Sequence, residues 1–170
     1  MNKVLEKPKS LKDIQSLQKH MDKVVEEKYD VRKQDLIDIV LSCTAEIHEW
    51  AMELPTESNF KTWAPKTHNK DAEFKEFVDI LFFLCKIANS LRLNIKEVYV
   101  PRFSEDVREL ALNLNIIVSY IPFNDASQLQ DNFDTAIECY LTMAKERGLS
   151  IEDICNHYWE KYLYNLKRFC

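Results

Sequence analysis

A single glycine, Gly148, in 170 residues constrains this chain more than any other feature. Globular chains carry roughly 7% glycine, used in tight turns, bulges and close backbone approaches. A chain almost without it has few such turns to make, and phosphate-binding loops built on repeated glycines, of the Rossmann and P-loop kinds, are excluded. Apolar residues recur at threes and fours, the helical period, so the sequence predicts an all-α fold, a bundle of five to six main helices. Only the β-branched stretches around Val98–Val100 and Ile116–Tyr120 run against it.

Helix boundaries follow from caps and breakers. Residues 1–9, with Lys3, Lys7, Pro8 and Lys9, have no apolar face and read as a flexible lead-in. Ser10 and Asp13 form a capping-box pattern opening a first helix to about Glu27, with Ile14, Leu17, Met21 and Val24 or Val25 inward. A second helix is expected from about Val31 to Glu53, closed by Pro55, with Leu36, Ile39, Val40, Cys43, Ile47 and Trp50 as its stripe. From Pro55 to Asn69 the composition is that of a loop, yet it carries Phe60, Lys61 and Trp63. Its aromatics either pin the loop to the core or line a pocket. Asp71–Ser90 is apolar nearly all round, which makes it a central helix and is easiest to cover in a dimer or a thick bundle. Further helices are expected from Ser104 to about Tyr120, from a cap at Asn124 or Asp125 to Gly148, and from the Ser150–Asp153 capping box to Arg168. No linker divides the chain, so residues 1–170 read as one domain.

A net charge of −5, with basic residues scattered through acidic sequence, argues against a nucleic-acid polymer as partner and leaves room for a single nucleotide. The most apolar stretch, Phe77–Cys85, falls far short of the roughly 20 residues a membrane span needs, and Asp79 interrupts it. Cys43, Cys85, Cys139, Cys155 and Cys170 show no paired spacing, and no leader precedes the first helix, so a reducing, cytoplasmic setting is expected.

Two acidic pairs, Glu46-x-x-Glu49 and Glu76-x-x-Asp79, sit inside apolar helical runs. Residues three apart share a helix side, so each pair can present two carboxylates to one ion. Asp79 is the only charged residue from Phe77 to Cys85, and a carboxylate in such a setting needs a partner or takes up a proton. Four converging carboxylates imply a hard divalent cation such as Mg²⁺ and an enzyme acting on a phosphorylated small molecule. On the bland reading Glu49 and Glu76 are solvated surface acids paired with neighbours such as Lys75. His20, His48, His68 and His157 share no metal-site spacing and read as surface or loop residues; Lys61 is the lysine singled out, with Lys66 and Lys70 facing solvent.

Taken in order, Leu17-Gln18-Lys19-His20-Met21-Asp22, Glu46-Ile47-His48-Glu49-Trp50, Phe60-Lys61-Thr62-Trp63, Glu76-Phe77-Val78-Asp79-Ile80-Leu81 and Lys161-x-x-x-Asn165-x-x-Arg168 resemble the dimeric, all-α dUTP pyrophosphatases of phages and bacteria, relatives of the MazG-type nucleotide pyrophosphatases. That resemblance implies Mg²⁺-dependent hydrolysis of dUTP, and of dUDP, to dUMP in a homodimer, with two or more ions when substrate is bound. It implies Glu46, Glu49, Glu76 and Asp79 as metal ligands, with Glu46 and Glu49 the catalytic carboxylates and Glu49 the general base. Trp63 corresponds to an aromatic wall of the uracil pocket, Lys61 lies beside it, and Gln18 with Asp22 falls in the first-helix segment that contacts the nucleotide. Lys161 and Arg168 are implied for phosphate and Asn165 for base or sugar. Two departures stand out: relatives continue past the late Arg with Gln and Gly-Tyr where this sequence reads Arg168-Phe169-Cys170, and Asp22 replaces a frequent Asn. Alternatives are a pyrophosphatase for another nucleotide, such as dCTP or a noncanonical one, and a catalytically silent nucleotide-binding relative.

Overall fold

Six α-helices carry the structure: α1 (Leu11–Lys28), α2 (Leu36–Glu53), α3 (Lys70–Leu91), α4 (Val107–Tyr120), α5 (Leu129–Glu146) and α6 (Ile151–Phe169), with 3-10 turns at Thr56–Ser58 and Ile121–Phe123. This computed structural model describes residues 5–28, 32–96 and 105–169, and no strand occurs among them. The element expected around Val98–Val100 lies outside those residues, as do Val31 and Ser104.

Local chemistry explains the ends. Both predicted capping boxes form: Asp13 N–H donates to Ser10 Oγ at 3.1 Å, and Asp153 N–H to Ser150 Oγ at 3.1 Å while Ser150 N–H returns to the Asp153 carboxylate at 2.9 Å. Three starts differ from expectation. α2 begins at Leu36 because Asp35 and Asp38 make a capping box with each other, both bonds at 3.0 Å. α4 begins at Val107, where Asp106 accepts from Arg108 N–H. α5 begins at Leu129, well after Asn124 and Asp125, because the Pro122 turn and a second turn closed by Gln128 N–H to Asp125 C=O occupy the intervening chain. The end of α5 is as expected: Gly148, at φ +70°, takes the left-handed position a side chain would resist, and Leu149 N–H bonds back to Ala144 C=O. Of the lead-in, Leu5 packs on the core and Pro8 is buried.

α3 is the axis of the molecule. It packs most extensively against α2 and also against α1 and α6, while α4 and α5 form a second layer through α2. Tyr140 of α5 reaches α3 as well, its ring stacked on Phe77 at 4.4 Å and its hydroxyl donating to Phe77 C=O at 3.2 Å. Its all-round apolarity is thus satisfied inside one chain and is no ground for a dimer. Exposed apolar residues lie elsewhere, as a stripe on α4 (Leu112, Ile116, Tyr120, continuing to Phe123) and on the adjoining α2 (Ile37, Leu41). Cys43, Cys85, Cys139 and Cys155 are buried as thiols. No helix among the described residues is long and apolar enough to cross a membrane.

Candidate active site

Glu46 and Glu49 leave α2 one turn apart, and Glu76 leaves the facing stretch of α3. One carboxylate oxygen from each lies within 4.8 Å of the others, the only such acidic or metal-ligating group among the described residues. Asp79, expected as a fourth member, stands beside them and is occupied by a cation of the protein's own: Lys161 Nζ of α6 lies 2.6 Å from Asp79 Oδ2.

Crowding like charges into a half-buried site favours protonation. Desolvation, then the charges of Asp79, Glu49 and Glu76, push the Glu46 carboxyl up to about 7, against the opposing pull of Lys161. Burial, followed by Asp79 and Glu49, raises Glu76; burial raises Asp79 too, opposed by its bond to Lys161. The consequence for stability has a definite sign. From the ordinary value of 4.5 up to about 7 the folded Glu46 keeps a proton that the unfolded chain has released, so stability falls as pH rises through that window. Glu46→Gln is expected to flatten this decline in melting temperature, measured in chelator across the same window. An unchanged slope would remove Glu46 as its source.

A second polar group lies further along α3. Gln18, 2% exposed, donates through Nε2 to Asp22 at 2.8 Å and accepts the Tyr158 hydroxyl at 3.0 Å. Asp22, whose pKa burial raises, lies 3.6 Å from Lys86 Nζ, which also donates to Gln34. Asp79 and Lys86 are two turns apart, roughly 10 Å along the helix axis. Between them Phe82 stacks on Tyr158 at 4.7 Å, and Tyr162 carries Trp159 on its ring at 5.5 Å. The acidic group and the Gln18–Asp22 pair are therefore the two ends of a strip with an aromatic middle, built from α1, α2, α3 and α6.

The α2–α3 loop is held by polar groups and not by its aromatics. Asn59, 8% exposed, donates to Met52 C=O and Leu54 C=O and accepts from Lys61 N–H. Trp63 is 75% exposed and Phe60 43%, so neither pins the loop to this chain's core. Lys61 Nζ lies against Met52 Sδ at 2.9 Å. On α6, Lys161 joins the acidic group, Asn165 is half-buried, and the exposed Arg168 lays its guanidinium over Phe169 at 5.3 Å. His48 is exposed and bonded to Thr44 C=O, as expected of a surface residue. Lys66 is exposed, as expected, and pairs there with Glu53 at 2.7 Å; His68 is a loop residue, as expected, and meets Glu73; His157 instead sits half-buried on α6, edge-on to Phe74. Glu73, which also enters this region, precedes Glu76 at the same three-residue spacing as the other acids, but nothing local in the sequence sets it apart from a surface carboxylate.

A helical bundle that draws three carboxylates together with a lysine-paired fourth beside them defines an all-α protein with a site suited to a hard cation. A family model described as dUTPase matches residues 10–170. The chain belongs to the dUTPase family, and is thereby an enzyme of nucleotide pyrophosphate hydrolysis. No curated protein matches it.

Proposed function

We propose that this chain hydrolyses dUTP, and dUDP, to dUMP in a Mg²⁺-dependent reaction, as a homodimer. The observation that carries the reading is the convergence of Glu46, Glu49 and Glu76, in a chain of this family, beside an Asp79–Lys161 pair. The donor set fits the ion: all oxygen, with no thiol or imidazole, and charges whose mutual repulsion a cation relieves. Glu46, Glu49, Glu76 and Asp79 would hold Mg²⁺, two or more ions with substrate present. Once bound, the metal supplies charge neutralisation at the phosphate oxygens and a more acidic water.

Each side chain then has a task in the proposed reaction. Glu49, the exposed member of the three, accepts the proton of the attacking water as an oxygen–phosphorus bond forms and the bond to the departing phosphate group breaks. Glu46, half-buried, is the second catalytic carboxylate. Lys161, already at the acidic end of the strip, binds phosphate, with Arg168 two turns on and Asn165 between them for sugar or base. Gln18 orients Asp22 toward the base edge, and Trp63 with Lys61 approaches from the loop. A cytosine nucleotide is the second reading. Asp22 favours it, because an ionised carboxylate offers only acceptors and cytosine presents an amino donor. The homodimer reading rests on the exposed stripes of α2 and α4.

Pyrophosphate release from dUTP, dTTP, dCTP and UTP, each with Mg²⁺ or with EDTA, tests this directly. Expected is turnover of dUTP above the other three, lost in EDTA, by a protein sedimenting at twice 20.2 kDa. Preferential dCTP turnover would move the substrate and keep the site; no turnover of any of the four would sink the proposal.

A further inference from the structure

Glu73 is the one fully buried acid among the described residues, 0% exposed. A carboxylate out of water persists only when its oxygens are partnered. Here both are: Oε1 accepts from Arg147 Nε at 2.6 Å, and Oε2 accepts from Arg147 Nη2 at 3.0 Å and lies 2.7 Å from His68 Nε2. The cluster joins three segments. Arg147 caps the C-terminal end of α5, its own N–H bonded to the last carbonyls of that helix; Glu73 stands in the first turn of α3; His68 is the end of the loop that leads into α3.

That loop has a second fastening at Lys66, which pairs with Glu53 of α2. Glu53 lies one turn beyond Glu49 and Glu73 one turn before Glu76, so the loop is anchored on both acid-bearing helices, each anchor a turn from the acidic group. Between Asn59 and these anchors it carries Lys61 and Trp63, and Trp63 gains no hold on the core. A segment with few buried apolar contacts takes its position from its ends. We infer that Arg147 is a positioning residue: through Glu73 and His68 it fastens the 54–69 loop where Lys61 and Trp63 meet a nucleotide at the acidic group. The encounter with nucleotide rests on the function proposed above; the fastening does not.

Two variants and two readouts test it. Glu73→Met with Arg147→Met removes the buried acid and its half-buried partner together, a replacement that such pairs commonly tolerate. His68→Phe breaks the loop end alone and leaves the Glu73–Arg147 pair in place. For both, trypsin cleavage after Lys61 and Lys66 is expected to accelerate about tenfold, read by mass spectrometry. KM for dUTP is expected to rise about tenfold with kcat within about twofold, the mark of lost binding and not of lost chemistry. Folded His68→Phe protein with unchanged cleavage would overturn the inference, whether or not the double variant folds. Faster cleavage with unchanged KM would confirm the fastening and overturn its role in nucleotide binding. If the native chain hydrolyses none of the nucleotides, the cleavage rates still decide the fastening.

Discussion

Glu49→Gln lowers dUTP turnover by about 10²- to 10⁴-fold, the usual contribution of a positioned proton acceptor, while the fold holds or grows more resistant to heat in chelator. Both halves follow from one arrangement. Glu49 is an exposed carboxylate within 4.8 Å of two others. Burial first, and the charge of Glu49 after that, raise Glu46, Glu76 and Asp79. An isosteric amide keeps the shape, removes the proton acceptor and relieves part of the repulsion. A solvated surface acid would do neither. Pyrophosphate release and thermal melts with and without EDTA measure the two effects. Full activity would deny Glu49 its role, and a lowered melting temperature in chelator would contradict the crowding.

The largest loss of stability is expected at Phe77→Ala, about 3–5 kcal/mol. For a chain of this size that lowers the melting temperature by roughly 6–20 °C, followed by circular dichroism. Phe77 is fully buried, stacked on Tyr140 at 4.4 Å and tilted against Trp50 at 5.6 Å. It stands between Glu76 and Asp79 in sequence and joins α3 to both α2 and α5. Truncation leaves a cavity among rings too rigid to refill it. A shift of only a few degrees would mean that the surrounding helices collapse onto the gap, and that α3 is not the fixed axis its contacts describe.

What the sequence revealed and what it concealed divide along the range of the interactions. Ser10 with Asp13 and Ser150 with Asp153 were legible because a capping box closes within four residues. The start of α2 was not, because apolar periodicity reaches back to Val31 while Asp35 and Asp38 cap each other further on. Asn124 and Asp125 are good caps in isolation, yet Pro122 sets a 3-10 turn before them and the helix starts later. At the site, the spacing of Glu46 and Glu49 foretold a shared side of α2. The apolar surroundings of Asp79 foretold that it needs a partner, but not that the partner is Lys161. Glu73 shares the three-residue spacing of the visible acids; its burial is set by Arg147, which local pattern cannot bring near it.

Lys161 lies 82 residues beyond Asp79, and Tyr158 lies 140 beyond Gln18. At ribosomal speeds of roughly 5–20 residues per second, about 4–16 s separate synthesis of the aspartate from synthesis of its counter-ion. Throughout that interval the nascent chain carries the acidic row without the helix that completes the strip. The Asp79–Lys161 and Gln18–Tyr158 bonds thus form only late in translation, when α6 docks against α1 and α3.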